Sequence, residues 1–413
     1  MDDQKKKDVA PPNSPDAQAP SSPKGVSRRD VATAVPKIAA AMVLASENEA
    51  QAYYNMLFTK RSKPRTLWSV GDNSFGQLGL GTTASQSLPT QVGTLSTWVD
   101  VATGQQHTIA RKRDGTLWAW GQNSYGKLGL GTTVNQSSPV QLGNLSKWTS
   151  IAAGSQHSTA CRTDGTLWTW GYNVNGQLGT GTAAATSSPV QVGTLSTWVR
   201  SIAANSATFA LRTDGTLWAF GLNSFGNLGI GTIANVSSPV QVGNLSNWSD
   251  LSCGDVTTIA RRKDNTIWAF GNNNYGQLGL GDTLARSSPV QIGSLSTWTG
   301  IAANSFNVAL LRNDGTLWSC GDNLYGELGI GSMLNRSSPV QIGTLSTWTQ
   351  VAAGYMNTEA RRADGTIWSF GQNSLGQLGL NDTANRSSPV QIGSLSTWTK
   401  IVSRQSFTVI LRR

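Results

Sequence analysis

The chain has 413 residues, 45 of them glycine, and only 13% are charged against a usual ~25%; this turn-rich composition excludes a coiled coil or helical bundle, which needs Ala, Glu, Lys and Leu at 3.5 or 3.6 spacing. The net charge of +10 is divided between the first 65 residues and the rest without a strongly basic block, so it gives no specific nucleic-acid signal. Three cysteines (Cys161, Cys253, Cys320) with no C-x-x-C pair and two histidines (His107, His157) leave no disulfide framework and no zinc set, and no run of 18 apolar residues offers a transmembrane segment.

Residues 1 to 25 are rich in Pro, Ser, Asp, Ala and Lys and bury too little apolar surface to order on their own. From Ser27 the chain reads Ser-Arg-Arg-Asp-Val, followed by a weakly apolar stretch, Ala32 to Ala45, and small residues at Ala50-Gln51-Ala52. That arrangement resembles a twin-arginine export signal. Pro36, Lys37, Glu47 and Glu49 fit it poorly, and a short helix from about Lys37 to Leu57, docking on the rest of the chain or on a partner, is the other reading. Residues 1 to 65 are therefore set apart as a disordered or partly helical tail.

From residue 66 onward the chain repeats every 50 residues. Trp68, Trp118, Trp168, Trp218, Trp268, Trp318 and Trp368 each sit in a T-[L/I]-W triplet, and Trp98, Trp148, Trp198, Trp248, Trp298, Trp348 and Trp398 form a second series. Between them G-x-N-x-x-G-x-L-G recurs seven times, first as Gly71, Asn73, Gly76, Leu78 and Gly79, and a proline follows at Pro89 and its six equivalents. One unit reads as four short strands, roughly Ser150 to Ala153, Ser158 to Arg162, Thr166 to Trp170 and Pro189 to Val192, with the Asp164-Gly165 pair predicting a type I′ turn between the second and third. Seven four-stranded antiparallel units predict an all-β, seven-bladed β-propeller over residues 66 to 413, in which neighbouring blades bury the Trp, Leu and Ile positions.

The chain after residue 65 is two residues short of seven full repeats, and the missing pair is the seventh Asp-Gly turn. The C-terminal strands near Ile401 and Ser406 to Leu411 should therefore pair with Thr66 to Val70 and Pro89 to Val92 and complete one blade. Such closure removes exposed inter-blade faces.

The run from Asp114 through Leu128-Gly129, followed by Ser-Ser-Pro-Val and then Ile151-Ala-Ala-Gly-Ser-Gln-His157, resembles the regulator of chromosome condensation repeat over all seven units. The resemblance implies the propeller and the closure argued above. Its founding eukaryotic member is a chromatin-bound guanine-nucleotide exchange factor, while relatives serve as ubiquitin-ligase modules, enzyme inhibitors and interaction platforms, so the resemblance fixes the fold rather than the activity. The near-identical, Trp-rich units are similar to bacterial or viral members, and no insertion between repeats could act as a nucleotide-displacing wedge.

Several residue series invite chemistry. Gly121 to Lys127 reads G-x-x-x-x-G-K, but Leu128 stands where a phosphate loop needs Ser or Thr, so it reads as a turn. Asp114, Asp164, Asp214, Asp264, Asp314 and Asp364 read as turn formers rather than metal carboxylates. The cations Lys112, Arg162, Arg212, Arg262, Arg312, Arg362 and Arg412 should pair locally with those aspartates, and the aromatics Phe75, Tyr125, Phe225, Tyr275 and Tyr325 should pack within their blades.

Comparison of the seven copies shows which positions the fold leaves free. Variation concentrates in two loops that the strand order places on one face, Gly104 to His107 with its equivalents and Thr82 to Gln86 with its equivalents. In the second loop Arg286, Arg336 and Arg386 form a basic arc on three consecutive blades, and the first offers Asp255, Phe306, Tyr355 and Met356, a mixture suited to protein contact. No nucleophile, base and orienting group fall together, so no enzyme activity, metal or cofactor is expected. The expected function is a non-enzymatic interaction or structural propeller, cytoplasmic or virion-associated, that binds a protein partner, with an acidic surface suited to the arc. The alternatives are a guanine-nucleotide exchange regulator of a small GTPase and a virion or cell-surface component anchored by the tail.

Overall fold

In a computed structural model, which describes residues 65–404 and 407–412, seven four-stranded antiparallel sheets follow one another as the blades of a propeller. The expectations placed on residues 1 to 64 lie outside the described residues. Blade 1 runs from its inner strand Trp98–Thr103 through His107–Lys112 and Leu117–Gly121 to the outer strand Gln136–Gln141, and blades 2 to 6 repeat it at intervals of 50. In blade 2 the strands are Trp148–Ala153, His157–Arg162, Leu167–Gly171 and Thr186–Gln191, so each strand stands within three residues of its expected start.

Blade 7 is assembled from both ends of the chain. Its order is Gln86–Gln91, Thr66–Gly71, Phe407–Arg412 and Trp398–Arg404. The two ends pair antiparallel without a break from Thr66↔Arg412 to Gly71↔Phe407, as the missing Asp-Gly pair required.

Between blades lie the tryptophan, leucine and isoleucine positions. At the junction of blades 7 and 1, Leu67, Leu78 and Val92 bury against Trp98, Ala110 and Trp120. A core indole removed to alanine costs about 3–5 kcal/mol, so seven such junctions hold the ring. Outer strands would present pairing edges. Each carries a proline in its middle, and there the register slips: Gly121 pairs with Gln136 and Ala119 with Val140, leaving Pro139 in the irregularity. A residue without an N–H is tolerated there and blunts the edge.

One expectation is corrected at the hairpin between the second and third strands. Gly165 N–H donates to Arg162 O at 3.0 Å, and Arg162 N–H to Thr166 O at 3.0 Å. Gly165 has φ +77° while Asp164 is not in the left-handed region, so this is a three-residue loop with a left-handed third residue rather than a type I′ turn, which needs φ > 0 at both central positions. Asp164 instead works through its side chain, accepting from Thr166 N–H at 3.1 Å and Thr166 Oγ1 at 2.6 Å.

Around that hairpin the cation series pairs locally, as expected. Arg162–Asp164 (3.0 Å), Arg262–Asp264 (3.4 Å) and Arg312–Asp314 (3.5 Å) are ion pairs. The same cations also lie over the edge-to-face tryptophan pairs. Lys112 Nζ is 3.3 Å from the Trp118 ring centroid, and Trp98 and Trp118 meet at 85°. The recurring cation is thus consumed at the lower corner of each blade, on the face opposite the variable loops.

Candidate functional site

The antiparallel order places the turn after each inner strand and the glycine loop after each third strand on one face, here called the upper face. In the glycine loop one asparagine does most of the organising: Asn123 Oδ1 accepts from Leu128 N–H at 2.9 Å, and its Nδ2 donates to Thr132 O and Val134 O at 2.9 and 3.0 Å. The turn after the inner strand closes through the backbone in every blade but the last, as Gly104 N–H donating to His107 O at 2.8 Å shows, so the identity of its two tip residues is free to vary between blades. They read Gln105-Gln106, Ser155-Gln156, Asn205-Ser206, Asp255-Val256, Ser305-Phe306 and Tyr355-Met356 in blades 1 to 6.

Across blades 4 to 6 these tips form a continuous aromatic strip. Tyr275, from the glycine loop of blade 4, meets Phe306 of blade 5 edge to face at 5.6 Å, and Phe306 meets Tyr355 of blade 6 at 5.2 Å. Asn304 fixes the turn that carries Phe306, its Oδ1 accepting from the N–H groups of Phe306 and Asn307, both at 2.8 Å. Met356 is half-buried beside Tyr355 in sequence. Burial, then the neighbouring Asp255 charge, raises the Tyr355 phenol above its ordinary pKa.

The strip borders the mouth of the central channel, a cavity of about 310 Å³ lined by the inner strands of all seven blades, with Asp255 and Tyr355 among its lining residues. Inside, charges are paired between neighbouring blades, Lys400 with Asp100 and Arg200 with Asp250. Burial alone would raise the Asp100 carboxyl, but Lys400, Arg111 and the Val101 N–H together hold it below the usual range. At the mouth, Arg404 reaches across the opening and donates to Ala203 O at 3.0 Å and Ala153 O at 3.5 Å. Its Nη2 stands 3.8 Å from Asp255 Oδ1.

The arginine arc lies further out, at the first residue of the outer strands of blades 4, 5 and 6. Two of its three charges are already met: Arg286 pairs with Asp282 at 2.6 Å and Arg386 with Asp382 at 2.5 Å. Arg336, whose loop carries Ser332 at the corresponding place, donates to Asn335 O at 3.2 Å. Among the described residues the arc is thus two ion pairs flanking Arg336, which has no ion pair. Three of the glycine-loop aromatics depart from expectation, Tyr125, Phe225 and Tyr275 being 52%, 42% and 40% exposed, while Phe75 and Tyr325 are half-buried.

Sequence reasoning missed a set of buried titratable groups. Lys127 is fully buried, donating to Gln122 Oε1, to Gln156 Oε1 at 2.9 Å and to Ser155 O at 3.3 Å, and burial pulls its pKa down to about 7. That environment of amide oxygens is a turn, not a phosphate loop. Glu359 is buried at the junction with blade 7 and accepts from Ser403 Oγ at 3.2 Å and Thr408 Oγ1 at 3.1 Å; burial raises it to about 7 despite those bonds. Burial holds the histidines neutral, His157 down to about 3, with Nε2 bonded to Ser158 Oγ in His107 and to Thr208 Oγ1 in His157, each at 2.9 Å. The three thiols are buried and pushed up to about 12. Arg404 was also missed, although its position is Gly, Ala or Asn in the sister blades. That departure was the available signal.

Among the described residues no group of three or more His, Cys, Asp or Glu is placed to hold a metal, and no helix is long and apolar enough to cross a membrane.

The Regulator of chromosome condensation (RCC1) repeat model matches this chain seven times, over residues 66–111, 114–161, 164–211, 214–261, 264–311, 314–360 and 364–411. A second model of the same repeat matches residues 98–127, 148–177, 248–277 and 298–327. No curated protein matches. Among solved structures the chain is similar to Prp20p from Saccharomyces cerevisiae, described with its binding to Gsp1p and histones, at 22% identity over 85% of this chain and 92% of that one, with a TM-score of 0.75. It is similar to yeast RCC1 (Prp20) bound to Kap60, at 21% identity over 85% and 89%, TM-score 0.78. Human WBSCR16 is similar at 17% identity over 84% and 100%, TM-score 0.76.

Proposed function

Because the chain belongs to the Regulator of chromosome condensation (RCC1) repeat family, whose fold serves many activities, we propose that it is a non-enzymatic interaction propeller that holds a protein partner on its upper face. The observation that carries this reading is the half-exposed strip Tyr275–Phe306–Tyr355, in which Phe306 and Tyr355 stand at tips that blades 1 to 3 build with Gln, Ser or Asn, while Tyr275 holds a glycine-loop position that is aromatic in most blades. Aromatic anchors that the scaffold does not require are the residue types that dominate binding energy at interfaces. Met356 and Asp255 stand on neighbouring tips of the same face, while Arg336, at the start of an outer strand, lies outside this surface. The buried thiols, neutral histidines and paired channel charges support a scaffold rather than a reaction centre.

The test is capture of partners by the full chain and by a variant in which Asp255, Phe306, Tyr355 and Met356 become Asn, Gln, Ser and Gln, residues that blades 1 to 3 or 5 carry at the same positions. Partner capture should fall with the melting temperature unchanged. A nucleotide-release assay against small GTPases addresses the family's best-known activity; the uniform 50-residue repeats give no projecting wedge, and catalysed release would overturn the scaffold reading.

A further inference from the structure

Asp255 sits at the channel mouth with its side chain only 21% exposed. Its own N–H is used, donating to Ser305 Oγ at 3.3 Å. Among the described residues its carboxylate has one ionic partner, Arg404, and that guanidinium is held 3.8 Å away by the Ala203 and Ala153 carbonyls. A carboxylate so largely removed from water ordinarily takes direct, charge-assisted donors. Arg404 does not come close enough to serve as one, and its Nη2 is itself without a hydrogen bond.

The flank of this carboxylate is aromatic: Tyr355 lines the same mouth, and Phe306 and Tyr275 continue the strip outward. Edge-to-face stacking leaves ring faces available, and the negative face of an aromatic ring attracts ammonium and guanidinium groups. We infer that the channel mouth formed by Asp255, Tyr355, Phe306 and Tyr275 is a site for a lysine or arginine side chain presented by a basic segment of the partner protein. Arg404 is its internal competitor, a guanidinium of the chain's own held just short of the carboxylate. This inference rests on the upper-face reading above and specifies the chemistry of the partner.

The sister blades supply variants already compatible with the fold: Asp255→Asn as at Asn205, Phe306→Gln as at Gln106 and Tyr355→Ser as at Ser155. Fluorescence anisotropy of a labelled octa-arginine peptide, at low salt and on the full chain, reads the site directly, with octaglutamate as the opposite probe. Octa-arginine should bind the parent and octaglutamate should not. Asp255→Asn should weaken octa-arginine binding about tenfold, and Phe306→Gln or Tyr355→Ser about threefold to tenfold. Arg404→Asn, as at Asn304, should strengthen it by freeing the carboxylate, and Arg336→Gln, as at Gln136, should leave it unchanged.

Equal octa-arginine affinity for the parent and the three mouth variants would overturn the inference, as would absence of binding to the parent. Preference for octaglutamate, lost on Arg336→Gln, would overturn it in favour of an acidic partner on the arc. If the peptide results fail while partner capture still falls in the four-residue variant, the mouth chemistry is wrong and the upper-face reading stands. Failure of both measurements removes both.

Discussion

Lys127 occupies a position that most sister blades fill with an amide, Gln77, Gln177, Asn227, Gln277 and Gln377, with Glu327 the exception, and Glu359 one that its sisters fill with neutral side chains, Ile109, Thr159, Ile259 and Ala309 among them. Each carries a free-energy cost that depends on pH, with opposite sign. Lys127 titrates at about 7 in the folded chain against an ordinary 10.5, so its contribution is unpenalised above 10.5 and is lost as the pH falls toward 7. Lys127→Gln should therefore raise stability at pH 7 by about 4 kcal/mol, a gain that closes by about pH 10.5. Glu359 titrates at about 7 against an ordinary 4.5; it costs nothing below 4.5, and its penalty grows as the pH rises to 7. Glu359→Gln should match the parent near pH 4.5 and exceed it by about 3 kcal/mol at pH 8. Melting curves of the two variants across pH 4 to 11 check both, and parallel curves would show that neither group is desolvated as its burial implies.

At the scale of the loop and hairpin, the glycine series separates into positions that need space and positions that need only a left-handed backbone. A Cβ at Gly179, with φ +69°, would fall 2.6 Å from the Phe220 ring of the next blade, whereas one at Gly193, with φ +57°, would meet nothing within 4 Å. Alanine at Gly193 should cost about 1 kcal/mol for the backbone alone, and alanine at Gly179 about 3 kcal/mol or more once the ring is displaced; equal losses in denaturant titration would show that the inter-blade contact yields freely. The G-x-N-x-x-G-x-L-G spacing made these loops legible, because strand, glycine turn and buried leucine follow from residue type and period. The Asp-Gly pair announced a hairpin but not its form, since the aspartate side chain bonds Thr166 and the glycine alone turns left-handed. The aromatic strip was legible only as separate residues. Phe306 and Tyr355 stood out against their sisters, but their contact with Tyr275 is set by the angle between blades, which no single repeat encodes. The pairing of the arc with its own loops followed the same limit: Asp282 and Asp382, four residues before Arg286 and Arg386, meet those two charges.

For the whole molecule, the break between the chain ends falls at the same hairpin that every other blade keeps covalent. Blade 7 is joined by Thr66–Gly71 against Phe407–Arg412, by Trp68 meeting Trp398 edge to face at 5.9 Å, and by Arg412 lying 5.4 Å over the Trp68 ring. Removing residues 66–92 would uncover Trp98, Trp120 and Phe407 in one cluster. That deletion should abolish the cooperative transition rather than lower its midpoint slightly, because an open array of blades loses the neighbour terms at both exposed faces. A sharp, undiminished transition would refute ring closure as the source of cooperativity. The converse construction isolates closure from chain order. Joining Arg413 to Thr66 of the propeller through Asp-Gly restores the Arg-Asp-Gly-Thr hairpin sequence found after Lys112, and the ring can then be opened between Asp214 and Gly215. Every inter-blade junction survives in this permutant; only the covalent break moves, from blade 7 to blade 3. Its unfolding free energy should lie within about 1 kcal/mol of that of the unpermuted residues 66–413, since distant, equivalent turns contribute additively. A large loss would mean that blade 7, with Glu359 buried at its junction and Arg404 across the channel, cannot tolerate a covalent hairpin and depends on its ends being free.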